Sequence, residues 1–600
     1  MTGRIEDYAL IGDLQTAALA GPDGSIEWLC LPRFDSPAVC AALLGTEANG
    51  YWRIGPTAAS PPPATRRSYR GTSLILDSQW DTSTGVLSVT DFMPPREGPP
   101  RLVRVVEAVS GTVSVTFDLS LRFGYGSTTP LVTWPDGRMH AVAGPDAVWL
   151  DAAGIELGCP RAQFALHAGQ RVAFTLSWEP SHTPPPDTLN TGEALEATEK
   201  FWASWIADCT YHGPYRAAVV RSLITLKALT YAPTGGLVAA PTTSLPEDIG
   251  GIRNWDYRYV WLRDAALVMA TLLRTGYRTE ARAWRAWLVR ALAGDPEHLQ
   301  IMYGVAGERT LPETELPWLA GYKNSAPVRI GNAATAQWQL DVYGEVLEAL
   351  YLAATLGLEP DPSTSVLLTR LAETVQARWQ EPDEGIWEIR GPRQQFVHSK
   401  VMAWVALDRV VRLAEAGHTQ GPVDQWRQLR NVIHDEVCTR GYDPVRNTFT
   451  QYYGSQELDA ALLMIPLSGF LPADDRRVIG TIEAVQREMA TPEGFLRRYP
   501  TEGATPGVDG LPGDEGAFLV CSFWLTDALA LIGRHDDAQL LYERLLAHSS
   551  DLGLLAEEWD PRRQQHVGNY PQALTHLGVV DGALALERAH QALLAAGETR

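Results

Sequence analysis

Near residue 185 the hydrophobic pattern of this 600-residue chain changes its period, and that change restricts the fold to a β region followed by a helical one. Before it, short runs such as GYWRIGP, GVLSVTDFM, TVSVTFDLSL and RVAFTLSW are separated by Gly, Pro and Asp, the pattern of half-buried strands joined by turns. No long helical stripe separates successive runs, so the pattern predicts an antiparallel β-sandwich rather than a parallel sheet. The segment SHTPPPDTLNTG breaks it, and beyond it apolar residues recur with the helical period to the C-terminus. Stripes such as RDAALVMATLLRTG, AATAQWQLDVYGEVLEALYLAATLG and SKVMAWVALDRVVRLAEAG bring the expected number of helices to about twelve, many of them apolar on most sides. Six helical hairpins in two concentric rings make an (α/α)6 barrel, with a pocket built by the long loops at one end. No repeat of fixed period supports a solenoid. The expected organisation is a sandwich over residues 1–188, a linker helix over 189–212 and a barrel over 213–600.

The formal net charge of -21 repels a phosphate backbone or an acidic membrane surface and leaves a small neutral substrate compatible. Glu6, Asp7 and Asp13 interrupt any apolar leader, and no run approaches the roughly 18 apolar residues of a membrane span. Six scattered cysteines without C-x-x-C spacing fit buried thiols in a reducing compartment better than disulfides or a zinc site. These features predict a cytoplasmic protein with no metal and no cofactor, and they leave homo-oligomerisation open. Phosphate-loop, dinucleotide, serine-hydrolase and zincin motifs are absent from the sequence, so those chemistries lack their starting residues. Of the 20 tryptophans, core filling accounts for most, and some flank polar residues as sugar-stacking faces do.

Four stretches carry candidate chemistry. In NWDYRYVWLRDAALV, the residues Asp256, Tyr257, Trp261, Arg263 and Asp264 precede a clean helical stripe; an adjacent Arg and Asp can hold neighbouring sugar hydroxyls, although Asp264 can equally be a cap paired with Arg263. In DEGIWEIRGPRQQFVHSK, Glu388 lies between Trp387 and Ile389, an apolar collar that favours the protonated form a general acid needs. In LLAEEWDPRRQQHVGNY, Glu557 and Glu558 are consecutive, so in an extended loop only one faces a pocket, and either can be the base. GFLRRYP supplies Arg497 and Arg498, GDEGAF supplies Asp514 and Glu515, and a further helix places Asp341 and Glu345 on one face, which makes Glu345 a rival acid.

Together these motifs resemble glycoside hydrolase family 15, the glucoamylase, glucodextranase and trehalase family, and within it the trehalase-like actinobacterial branch, along essentially the whole chain. The family's Y-x-Y-x-W-x-R-D block is similar to Tyr257, Tyr259, Trp261, Arg263 and Asp264, which implies a tyrosine at the attacking water and an Arg–Asp pair on the nonreducing glucose. Its W-E-E motif corresponds to Trp387-Glu388-Ile389, implying that Glu388 is the general acid and that Ile389 alters the leaving-sugar side. Its E-Q-x-D motif matches Glu557-Glu558-Trp559-Asp560 and implies that Glu557 is the base. Arg498-Tyr499-Pro500 resembles the segment whose arginine grips the first sugar, and Tyr570 resembles another pocket-lining position.

The resemblance implies an inverting exo-acting α-glucosidase that releases β-glucose, with substrate contacts from Tyr257, Trp261, Arg263, Asp264, Trp387, Arg498, Glu558 and Tyr570. Inversion needs the two carboxyls roughly 6.5–9.5 Å apart, which leaves room for water. Trehalose is the first expected substrate; maltose, isomaltose or a short α-glucan is the alternative. A disaccharide phosphorylase on the same architecture dispenses with the base, and a silent sugar-binding protein loses one glutamate or the Arg–Asp pair, whereas this sequence keeps all of them.

Overall fold

The computed structural model describes residues 3–293, 297–358, 362–501 and 508–598. Strands from Ala9 to Pro180 form an antiparallel assembly around one long strand, Arg101–Ser120. The first half of that strand pairs with Gly85–Phe92 and Arg171–Pro180, and the second half with Tyr51–Pro56 and Arg161–His167. It therefore belongs to both layers, and its exposed middle, Val109 to Thr112, marks the crossing. Inside, Arg104 is fully buried and bonds both Asp91 oxygens at 2.8 and 3.1 Å, so its charge is answered by a bidentate partner.

Thirteen α-helices follow among the described residues. Helix α1 (Thr191–Ile206) starts where the Asn190 side chain accepts the backbone N–H groups of Gly192 and Glu193, a standard N-cap. The others are α2 (Arg216–Ala228), α3 (Leu262–Arg274), α4 (Arg278–Leu292), α5 (Asp341–Thr355), α6 (Pro362–Arg378), α7 (Val397–Glu415), α8 (Val423–Arg440), α9 (Met464–Leu467), α10 (Arg476–Met489), α11 (Leu519–Leu531), α12 (His535–Leu546) and α13 (Ala573–Glu598). Helices α3, α5, α7, α9, α11 and α13 each pack on the next, and α13 closes back on α3. The six even-numbered helices, α2 to α12, pack on the outside of this ring, which completes an (α/α)6 barrel.

Sequence composition explains which ring a helix joins. Helix α11, LVCSFWLTDALAL, is buried everywhere except at Asp527 and Leu531, whereas α8 buries only Trp426, Ile433 and Val437. A helix that is apolar all round must be enclosed, and one with a narrow stripe must face water. The inner member α9 is only one turn long, preceded by a 3-10 turn at Ala460–Leu463; Gly469, at φ 77°, follows it, a backbone region that glycine enters freely. Where α5 meets α7, a Cβ on Gly344 would stand 2.3 Å from the carbonyl oxygen of Met402. Gly344→Ala is therefore expected to destabilise the barrel by about 1–3 kcal/mol, measured by denaturant unfolding, because the backbones cannot separate without disturbing the ring.

The chain enters each inner helix from a loop at the same end of the barrel. Those loops, before α3, α7, α11 and α13, carry the polar clusters picked out in the sequence.

Candidate active site

A cavity with an empty volume of about 710 Å3, mouth included, opens at the N-terminal ends of the inner helices, and all its lining residues fall between Ala239 and Gln572. Its size suits a small ligand. Tyr257, Trp261, Arg263, Asp264, Trp387, Glu388, Arg498 and Glu557 all line it, so eight of the ten residues expected as acid, base or substrate contacts meet in one place.

Glu388 sits in the loop before α7 with a left-handed backbone, φ 59°. A non-glycine residue there costs about 1–3 kcal/mol and is kept where function requires the direction it imposes. The turn is closed by the Glu388 N–H donating to Gly385 O at 3.1 Å, and Gln337 Nε2 holds the Glu388 and Ile389 carbonyls at 3.1 and 3.0 Å. The carboxylate accepts the Trp261 indole N–H at 2.6 Å and lies 3.9 Å from Arg263 Nη1. Burial raises its pKa, and Arg263 and the indole pull it back; desolvation dominates.

Arg263 is fixed by its neighbours: Nε donates to Asp264 at 2.7 Å and Nη1 to the Ile386 carbonyl at 2.7 Å. Asp264 stands in the first turn of α3, where the positive end of the helix dipole favours a carboxylate. The pair thus presents a donor and an acceptor side by side.

Glu557 is fully buried, directly before the short strand Glu558–Asp560. Its Oε1 accepts the Tyr257 hydroxyl at 2.5 Å, and its Oε2 has no hydrogen-bond partner. That oxygen is enclosed beside Gly568, while the Glu557 side chain lines the cavity, where a carboxylate is placed to take a proton from a bound molecule. Burial raises the pKa of Glu557, Glu247 raises it further, and Arg498 and the Tyr257 bond lower it.

Glu558 takes the other side of the strand. Its Oε2 accepts the Gly516 N–H at 2.9 Å, and it is not a lining residue. The expected substrate contact from Glu558 is therefore corrected: alternation along the extended chain turns it away from the cavity that Glu557 faces. Tyr570 is corrected likewise. It is fully buried, and its hydroxyl donates to the Tyr8 carbonyl at 2.9 Å, so it ties the barrel to the N-terminal strands. Tyr259 also stays outside the lining, and Asp256 is paired with Arg258 at 2.6 Å. The rival acid Glu345 is not a lining residue: it sits one turn into α5, near Arg263 and Asp264, and lines a separate cavity deeper in the barrel.

Arg498 organises the floor. Its Nη2 lies 3.0 Å from Glu247, 2.6 Å from Glu515 and 3.7 Å from Glu558, and its guanidinium sits 5.8 Å from the centre of the Trp387 ring. Among the described residues, Glu247, Glu515 and Glu558 form the one acidic trio compact enough for a metal ion, but Arg498 already supplies the positive charge they require. Arg253 extends the network, 2.6 Å from Asp509 and 3.4 Å from Glu515. At the mouth, the Trp255 ring faces Arg390 at 4.2 Å and Arg329 at 4.7 Å, and Glu313 anchors Arg390 at 3.0 Å. Ile389 is buried and turned away, so the side chain after the acid that lines the cavity is Arg390.

Glu247, Arg253, Trp255, Arg390 and Asp509 were not singled out in the sequence. Trp255 and Arg390 lie inside stretches that were, next to residues that were chosen. The β region contributes no lining residue, but it buttresses the loops that do: Trp28 Nε1 donates to Pro241 O at 2.8 Å and Arg258 Nη1 to Ser36 O at 3.0 Å.

Residues 213–584 match the family described as Glycosyl hydrolases family 15, and residues 1–174 match the description "Trehalase-like, N-terminal". The chain is 41% identical to a trehalase of Mycolicibacterium smegmatis, over 98% of this chain and 92% of that one. It is 40% identical to a trehalase of Mycobacterium tuberculosis (98% and 90% covered) and 33% identical to one of Thermoplasma volcanium (98% and 94% covered). Among solved structures, a bacterial glucoamylase complexed with acarbose superposes with a TM-score of 0.69 over 98% of this chain and 94% of that one, at 12% identity. That likeness establishes a shared fold.

Proposed function

Because the chain belongs to glycosyl hydrolase family 15 and is a glycoside hydrolase, we propose that it hydrolyses trehalose with inversion, Glu388 acting as general acid and Glu557 as general base. The observation that carries this reading is the pair of glutamates lining one cavity, one bonded to an indole N–H and the other to a tyrosine hydroxyl. Glu388 protonates the glycosidic oxygen. Glu557 takes a proton from a water attacking the opposite face of C1, held between Tyr257 and the carboxylate; inversion requires the two carboxyls to stand roughly 6.5–9.5 Å apart, which leaves space for that water. The Arg263–Asp264 pair grips hydroxyls of the sugar being cleaved, and Trp255 with Arg390 receives the leaving glucose. The relatives named trehalase support the substrate.

The reading extends to the rest of the molecule. Residues 1–188 form the supporting domain, 189–212 the linker and 213–600 the catalytic barrel. No helix of the described residues is long and apolar enough to cross a membrane, and the six cysteines are free thiols, which supports a cytoplasmic location.

Tyr257→Phe removes the hydrogen bond that lowers the Glu557 pKa. Because the base must be ionised, activity is lost as pH falls through that pKa, and it is lost at the other side as pH rises through that of Glu388. The variant is expected to lose roughly tenfold in kcat, the worth of one charged hydrogen bond, and to shift the acidic limb of the kcat/KM profile upward; an unmoved limb contradicts the pairing. The substrate itself is tested with trehalose, maltose, isomaltose and soluble starch, each with and without phosphate. Glucose release from trehalose alone, independent of phosphate, is expected. Preference for another sugar overturns the substrate, and a requirement for phosphate with glucosyl phosphate as product overturns hydrolysis.

A further inference from the structure

A second cavity, with an empty volume of about 1720 Å3 including its mouth, lies at the other end of the barrel. It is lined by Arg274, at the C-terminal end of α3, by Leu352 near that of α5, by Leu467 at that of α9 and by Leu531 at that of α11. Helix C-termini carry partial negative charge and favour cations. Leu267, Met402 and Leu577 give the cavity an apolar wall, against which four carboxyl groups are set: Glu345, Glu348, Asp527 and Asp581.

Two of the four are answered by arginines. Glu348 is paired with Arg409, and Asp581 lies 3.7 Å from Arg274 and accepts the Thr271 hydroxyl at 2.7 Å. The other two form no ion pair, and the arginines that face them, Arg263 for Glu345 and Arg588 with Arg274 for Asp527, act at longer range. Glu345 is only 2% exposed and lines the cavity, with no hydrogen bond or ion pair to a described residue. Asp527 is the polar interruption in the apolar helix α11, and its enclosed Oδ1 has no hydrogen-bond partner. A buried carboxyl without a direct ion pair is costly and has a reason to be kept. Neither belongs to the one trio of described acids with oxygens within 4.8 Å of one another, which is at the other end of the barrel.

We infer that this lower cavity binds an aliphatic diammonium compound, with one ammonium on Glu345, the other on Asp527 and the methylene chain along the apolar wall. Glu345 on α5 and Asp527 on α11 line one cavity together with apolar side chains, and such a lining suits a dication that carries its charges at the two ends of a flexible chain. Proton linkage follows from the surroundings. Glu345, facing Asp341, Glu348, Asp264 and Arg263, is pushed up to about 8 by burial and by Asp341. Asp527, facing Asp581, Arg588 and Arg274, is raised by burial and by Asp581. A bound ammonium favours the ionised carboxyls, so binding at neutral pH releases protons, and affinity rises as pH approaches 8.

Titration calorimetry of the full chain with hexane-1,6-diamine, and with hexane-1,6-diol as its uncharged counterpart, tests the inference. One diamine is expected to bind per chain with heats that depend on the buffer's ionisation enthalpy, while the diol does not bind. Glu345→Gln and Asp527→Asn are each expected to weaken the diamine by about tenfold or more, and Glu557→Gln, in the upper cavity, leaves it unchanged. No diamine binding, equal binding of the diol, or loss of binding in Glu557→Gln overturns the inference. If the lower-cavity variants fail to fold, the wild-type comparison of diamine with diol and the Glu557→Gln titration decide it.

Discussion

Glu557→Gln is expected to lower kcat for the disaccharide by roughly 10²–10⁴-fold, the usual contribution of a positioned acid–base group. The amide keeps the shape and can still accept the Tyr257 hydroxyl that Oε1 accepts at 2.5 Å, so the fold and KM are expected to change little. What disappears is an acceptor for the proton of the attacking water. The acidic limb of the pH profile is expected to vanish with it, because no ionisable base remains. In the wild type that limb reports Glu557 coupled to the neighbouring Glu247, which raises both Glu557 and Glu558, rather than one isolated side chain. A Glu557→Gln protein that retains wild-type turnover excludes this residue as the base.

Glu388→Gln is expected to cost a comparable factor on a sugar leaving group, roughly 10²–10⁴-fold, but its signature differs. An acid is needed only where the departing oxygen must be protonated. With α-glucosyl fluoride, whose leaving group departs without a proton, Glu388→Gln is expected to recover most of the lost rate, whereas Glu557→Gln is not. Equal defects of both variants on the fluoride contradict the division of roles. The basic limb of the profile, set by a carboxyl that burial raises, is expected to disappear in Glu388→Gln.

Much of the fold is legible in the sequence because periodicity is a local property. The change of period at SHTPPPDTLNTG coincides with the start of helix α1, which begins at Thr191 after ten residues that follow the last strand residue, Pro180, and the all-round apolar stripe of α11 belongs to the inner ring. The short α9 was less visible, since one turn carries too few residues to display a helical period. Within the site, Glu388, Arg263 and Asp264 are readable because each stands beside aromatic residues at the start of a stripe. The Arg253–Glu515 contact joins positions 262 residues apart, and no local pattern encodes such a pairing. Glu558 and Tyr570 show the opposite failure: both neighbour the right segment, but strand alternation points one away and a backbone carbonyl of the β region captures the hydroxyl of the other. Most tryptophans fill the core; Trp255, Trp261 and Trp387 are the ones that line the catalytic cavity.

The account centres on a water delivered by Glu557 to the face of C1 opposite the bond that Glu388 breaks. Proton NMR of the glucose formed in the first moments of trehalose cleavage, before mutarotation, tests this most directly. Trehalose joins two α-glucose units, so inversion of one and departure of the other predict β- and α-glucose in equal amounts at the start. Release of α-glucose alone would mean that configuration is retained, and would contradict the assignment of Glu557 as a base acting through water.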